Sequence, residues 1–218
     1  MTRVAVIGAH GKVGQQILHL LYDAGHESVG VIRNPEHAED IVRLGGEPLV
    51  HDLEGSTAEE FAALLEGVDA LVFSAGAGPD SGIERKRTVD FGASVLSQEA
   101  AASAGIRRFV QISAIGVDEP LADDTEEVWR AYVEAKRDAD MALKATDLDW
   151  TILRPGGLTT DEGTGRIALG ETVERGSIPR EDVAAVVVAV LEQPSSIGRT
   201  WELVSGDVPI EDAVAQTA

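Results

Sequence analysis

Short β-branched and apolar runs recur along the chain, and between them the apolar residues fall at helical spacing. Arg3–Ile7 is the first run, bounded by Gly8, and Ser28–Ile32 is the second, stopped by the Asn34–Pro35 turn. Further runs follow at Pro48–Val50, Ala70–Phe73, Phe109–Ile112, Thr151–Leu153 and Trp201–Val204. Near-continuous apolar runs of this kind suit strands covered on both faces, the condition of a parallel sheet. The intervening stretches read as helices. Val13, Ile17, Leu18 and Leu21 share one helical face and end at Gly25; Phe61, Leu64 and Leu65 end at Gly67; Val89 to Ala104 ends at Gly105. Alternating strands and helices joined by short Gly-marked turns predict an α/β fold, a doubly wound parallel sheet with right-handed crossovers. One stretch breaks the rhythm. Gly156–Gly176, rich in Gly and Thr, predicts a small lobe over the carboxyl edge of the sheet. No repeat or linker divides the chain, so residues 1–218 read as a single domain.

Composition removes several classes. With 44% hydrophobic and 26% charged residues the chain has ordinary globular content, which excludes general disorder and low-complexity architectures. The longest unbroken apolar run, Val183–Leu191, has nine residues, far below the roughly 20 of a membrane helix. The opening residues MTRVAVIGAHGKVG lack the pattern of a signal peptide, and a soluble, cytoplasmic protein is expected. Without cysteine there is no disulfide framework, thiolate nucleophile or Cys-type zinc site. The net charge of −20, with fourteen Arg and only four Lys among the bases, repels nucleic acid and anionic membrane. Neither is expected as a partner, and any anionic ligand needs local basic groups. The acidity itself fits either salt adaptation or a solubilising surface.

The sharpest local pattern is Gly8-Ala9-His10-Gly11-Lys12-Val13-Gly14, directly after the first strand and opening a helix. In such a G-x-x-G-x-x-G turn the first glycine allows the tight turn and the middle one lets backbone approach a pyrophosphate. The third lets helix and strand pack closely. The phosphate then sits at the helix N-terminus, where free N–H groups and the dipole favour an anion. Dinucleotide binding is the expectation. At the end of the second strand an acid would bind the ribose 2′-hydroxyl of NAD, whereas an Arg accommodates a 2′-phosphate. That position holds Arg33, with no acid until Glu36, and His10 and Lys12 in the Gly loop add positive charge. NADP is therefore expected ahead of NAD. Asp52-Leu53, after the third strand, stands where an adenine is often cradled, or is a plain turn.

The IGAxGxxG start, Arg33, Asp52-Leu53 and Phe73-Ser74-Ala75-Gly76 resemble the short-chain dehydrogenase/reductase superfamily. Arg108-Phe109-Val110-Gln111-Ile112-Ser113, Arg154-Pro155-Gly156-Gly157-Leu158 and Arg180-Glu181-Asp182-Val183-Ala184 narrow the resemblance to its atypical branch. That branch holds small NAD(P)H-binding oxidoreductases, NmrA-like redox sensors and flavin reductases. The resemblance spans Val4 to about Asp207. It implies a Rossmann fold with cofactor contacts at Gly8, His10, Gly11, Lys12, Val13, Gly14, Arg33, Asp52, Leu53, Ser74, Ala75, Gly76, Pro155 and Gly156.

Tyr132 and Lys136 lie one helical turn apart on one face. The resemblance makes this pair catalytic, with Ser113 at the end of the fifth strand orienting substrate oxygen and Lys136 also touching the nicotinamide ribose. A free tyrosine, with a pKa of about 10, is poorly matched to proton exchange near neutrality, and the Lys136 ammonium is expected to lower that value. The superfamily's usual fourth residue, an Asn in the helix after strand four, has no counterpart in Thr88–Ser97.

Other chemistry finds no support. The histidines at 10, 19, 26, 37 and 51 show no H-x-x-x-H spacing, so no metal site is expected. Ser113 follows Gln111-Ile112 rather than the Gly of a nucleophile elbow, against a hydrolase. Asp123-Asp124 and Glu126-Glu127 read as the charged start of a helix, and Tyr22 and Trp129 as residues at helix edges. The expectation is an NADP-dependent oxidoreductase, with a small-molecule substrate entering under residues 156–180. The alternatives are a non-catalytic redox sensor and, third, a nucleotide-sugar epimerase or dehydratase.

Overall fold

A computed structural model describes residues 1–78 and 80–217. The first half alternates strictly: β1 (Arg3–Ile7), α1 (Lys12–Asp23), β2 (Glu27–Ile32), α2 (Ala38–Arg43), β3 (Glu47–Val50), α3 (Ala58–Ala62) and β4 (Ala70–Phe73). A helical run follows, made of α4 (Ile83–Arg85), a wide π-helical segment (Lys86–Ala93) and α5 (Ser94–Ser103). Then come β5 (Arg108–Ile112), α6 (Glu127–Lys144), β6 (Asp149–Pro155), β7 (Gly157–Thr159), β8 (Arg166–Gly170) and β9 (Ser177–Pro179). The chain closes with α7 (Arg180–Glu192), β10 (Arg199–Ser205), β11 (Val208–Pro209) and α8 (Ile210–Thr217).

Nine strands form one sheet in the order β11-β8-β10-β6-β5-β4-β1-β2-β3. The central pairings are parallel, and β8 pairs antiparallel with both β10 and β11. Period-2 alternation sends Val4 and Val6 into one apolar layer and Ala5 and Ile7 into the other. The first layer is covered by α1, α7 and α8, and the second by α3, α5 and α6. Val13, Ile17, Leu18 and Leu21 are buried on one face of α1, each contributing about 1.5–3 kcal/mol. This is the doubly wound Rossmann-like architecture expected from the alternation. Because β2 and β4 flank β1 on opposite sides, the crossover direction reverses there, and a crevice opens at the carboxyl ends of these strands.

Within 156–180, β7 and β9 pair as a small separate sheet, while β8 joins the main sheet antiparallel to β10. The helix expected from Val89 instead begins at Ile83 and passes through the π-helical segment. That wider turn buries Lys86, Val89, Asp90 and Ala93 together. Among the described residues no helix is long and apolar enough to cross a membrane.

Candidate active site

The glycine loop has the shape its spacing predicts. Gly8 takes φ +79°, and a Cβ there would lie 2.7 Å from the Ala75 Cα. A side chain at Gly14 would run into the Gly8 carbonyl. The Gly11 N–H closes the turn onto the Gly8 carbonyl at 2.9 Å. Gly11 then caps α1 without a side chain, and the first turn carries no acid. The leading amides of α1, at Lys12, Val13 and Gly14, therefore lack intrahelical partners and face no competing carboxylate in that turn. In a molecule of charge −20 this is a fitting place for a pyrophosphate.

A cleft of about 390 Å³ lies beside the loop. Gly8, His10, Gly11, Arg33, Asp52, Leu53, Ser74, Ala75 and Gly76 line it, all residues the sequence nominated. Lys12, Val13, Gly14, Pro155 and Gly156 lie outside that lining. Val13 and Gly14 are buried where α1 packs, and Lys12 is exposed. Gly156 serves packing, since a Cβ there would strike the Gly176 carbonyl. The Asp52 carboxylate accepts the Glu54 N–H at 3.1 Å, so Asp52 both lines the cleft and caps a turn. His10 bonds Asp40 through Nε2 at 2.9 Å and stacks on His37 with ring centroids 3.5 Å apart. The His10 bond, helped by Arg43, holds the Asp40 carboxyl below its ordinary range.

Ten further lining residues were not nominated, and four of them are polar or charged: His37, His51, Glu54 and Arg85. Glu54 Oε2 receives Arg85 Nη2 at 3.0 Å and Arg33 Nη1 at 3.4 Å, and its Oε1 receives the Thr88 hydroxyl at 2.6 Å. This convergence joins the end of β2, the turn after β3 and the helical run after β4.

Tyr132, Lys136 and Ser113 lie beyond that lining, around α6 and the end of β5. Buried Lys136 donates to the Ile112 carbonyl at 3.2 Å and lies 3.5 Å from Asp90 Oδ1. The other Asp90 oxygen accepts the Ala77 N–H at 3.2 Å. Asp90, 1% exposed, supplies a carboxylate in the segment where the superfamily has its Asn. Lys86 donates to the Gly78 carbonyl at 2.6 Å and stands 5.4 Å from the centre of the Tyr132 ring. Burial pushes the Tyr132 phenol above its ordinary value. Lys136 pulls it down as expected, but Asp90 and Asp140 add to the upward push.

Ser113 donates to Asp140 at 2.9 Å, and the same carboxylate receives Gln111 Nε2 at 2.7 Å and Arg154 Nε at 2.9 Å. Burial pushes Asp140 up against the pull of Arg154. Arg154 also reaches Asp118 at 2.6 Å. Tyr132, Lys136 and Asp140 repeat every four residues, a polar stripe on α6 that was readable in the sequence. Lys86, Asp90, Ser94 and Gln98 form a second such stripe. Among the described residues no group of three or more potential ligands could hold a metal ion.

Comparison with known proteins agrees with this geometry. The family described as NAD(P)H-binding matches residues 8–194. A Bacillus subtilis (strain 168) protein described as uncharacterized sugar epimerase YhfK is 38% identical over 213 residues, 97% of this chain and 98% of that protein. A (4-alkanoyl-5-oxo-2,5-dihydrofuran-3-yl)methyl phosphate reductase from Streptomyces griseus is 31% identical over 225 residues, 99% of this chain and 71% of that protein. The solved structure of a Bacillus halodurans protein, assigned to the NAD-dependent epimerases/dehydratases, superposes with a TM-score of 0.92. Its identity is 36%, and the match covers 99% of this chain and 100% of that one.

Proposed function

The chain belongs to the NAD(P)H-binding family, and on that footing we propose that it is an NADPH-dependent reductase of a small carbonyl, quinone or flavin. The family makes it oxidoreductase-like, with a reductase among its relatives. The finer reading rests on one observation above the rest. Lys136, the cation beside Tyr132, is itself paired with the buried Asp90 carboxylate. A phenol so placed keeps its proton, which suits an acid rather than a base.

The nicotinamide, when bound, supplies the hydride. The protein's own groups divide the remaining work. The α1 amides and the glycine turn hold the pyrophosphate. Arg33, seconded by Arg85, receives a 2′-phosphate. Tyr132 donates its proton to the substrate oxygen as negative charge develops there. Ser113, held by Asp140, orients that oxygen's neighbourhood. The partners on this reading are the dinucleotide and a small molecule, with no nucleic acid or membrane involved.

Two relatives carry epimerase descriptions, and that chemistry is the second reading. It opens by withdrawing a proton from a sugar hydroxyl, which needs tyrosinate. Burial and two carboxylates oppose tyrosinate here. A non-catalytic sensor has no use for a proton donor held half-buried beside an ion pair, so it ranks below both. The test is NADPH consumption screened across quinones, flavins and small carbonyls, with nucleotide sugars in parallel. The reading predicts turnover in one of the first three classes. Turnover of nucleotide sugars alone, or none in any class, overturns it.

A further inference from the structure

We propose that Glu54 is a built-in competitor for the cofactor's 2′-phosphate, setting how strongly the cleft discriminates NADPH from NADH. This rests on the NADP reading above. The carboxylate sits where a ligand anion would be expected, gathering Arg33, Arg85 and the Thr88 hydroxyl. Three donors, one from the end of β2 and two from the helical run after β4, on one monoanion is the arrangement of an anion subsite already filled from within. Arg33, Glu54 and Arg85 all line the cleft, so the filled subsite belongs to the binding surface.

The local charge count explains the consequence. Two guanidiniums against one carboxylate leave one positive charge, and a phosphomonoester brings between one and two negative charges with three acceptor oxygens. It outcompetes Glu54 for the fork donors, but only by turning both arginines away from a carboxylate that stays nearby and repels it. NADPH affinity is thereby held below what two arginines alone would confer. With NADH no displacement is needed. Glu54 keeps its arginines and offers an acceptor to a ribose hydroxyl, doing from the turn after β3 what an acid at the end of β2 does elsewhere.

Dissociation constants for NADPH, NADH and 2′,5′-ADP, measured by calorimetry on the full chain, test this. Glu54→Gln keeps the size of the side chain and an acceptor for Thr88 while removing the charge. It should tighten NADPH and 2′,5′-ADP by about tenfold and weaken NADH, moving the two cofactors in opposite directions. Thr88→Val removes the tether but leaves the carboxylate, and should not tighten NADPH. Equal effects of Glu54→Gln on both cofactors overturn the proposal, as does tightening by Thr88→Val to the same degree. Arg33→Ala and Arg85→Ala test the NADP reading separately. If neither lowers NADPH affinity relative to NADH, that reading falls and takes the role of Glu54 with it. If they do and Glu54→Gln does not discriminate, only the Glu54 assignment falls.

Discussion

Lys136 Nζ lies 3.5 Å from Asp90 Oδ1, both side chains almost wholly buried, so the lysine one helical turn from Tyr132 is held in an ion pair. Beside an unpaired lysine, a tyrosine would shed its proton more readily. Pairing spends much of that influence, and burial does the rest. The pair also ties α6 to the π-helical segment, and through the Ala77 amide to the loop after β4.

The pH dependence of turnover follows from this pair. A general acid works while protonated, so the rate falls as pH rises through the phenol's value. Asp90 pushes that value up, and its removal lowers it. Asp90→Asn should therefore shift the alkaline fall of kcat toward lower pH. A profile unchanged on the alkaline side, in a folded variant, would separate Asp90 from Tyr132.

Stability depends on a second buried pair. Asp140 receives Arg154, Gln111 and Ser113, and without Arg154 its charge has no buried counterion. Arg154→Met should cost about 3–5 kcal/mol, because it strands a buried charge. For a chain of this size that lowers Tm by roughly 6–20 °C, read by calorimetry. Asp140→Asn combined with Arg154→Met should recover part of the loss. An unchanged Tm in the single variant would mean that Asp140 is not ionised in the fold.

Cofactor preference tests the cleft. A charge-assisted contact to a 2′-phosphate is worth about 1.5–3 kcal/mol, so NADPH should bind roughly 10- to 150-fold tighter than NADH. Arg33→Ala should collapse that ratio while sparing NADH, because Arg33 is exposed and its partner Glu54 keeps Arg85. Equal affinities in the parent protein would contradict the assignment.

How much of this was legible follows the range of each signal. The turn from β1 through Gly8, Gly11 and Gly14 into α1 is local: Gly11 and Gly14 answer to backbone within the loop, and only the constraint on Gly8 comes from afar, from Ala75 after β4. Arg33 is legible from its place at the end of β2, and Tyr132–Lys136 from helical spacing. Glu54 meets Arg85, 31 positions along the chain, only after β4 has been placed, so nothing local announces it. Strand β8 is five residues with one fully buried side chain, Ile167, too weak a pattern beside the glycines around it. Asp90 is hard to read because the superfamily pattern has an Asn in this segment and because a π turn departs from ordinary helical spacing. The polar stripes at 86, 90, 94 and 98 and at 132, 136 and 140 carried that information.

The acidic surface makes a prediction of its own. If the charge of −20 reflects salt adaptation, its self-repulsion should relax as the Debye length falls from about 10 Å at 0.1 M to about 3 Å at 1 M salt. Tm should then rise clearly between those concentrations of KCl. A flat response reduces the charge to a solubility feature.

Tyr132→Phe bears most directly on the account as a whole, because it removes one hydroxyl and leaves the ring in place beneath Lys86. With a carbonyl substrate found in the screen, NADPH affinity and kcat should be measured on the same preparation. The account predicts nearly unchanged affinity and a kcat lower by about 100- to 10,000-fold, the usual worth of a positioned general acid. A variant that reduces the same carbonyl at the parent rate contradicts it, and Tyr132 would then be no acid in this protein.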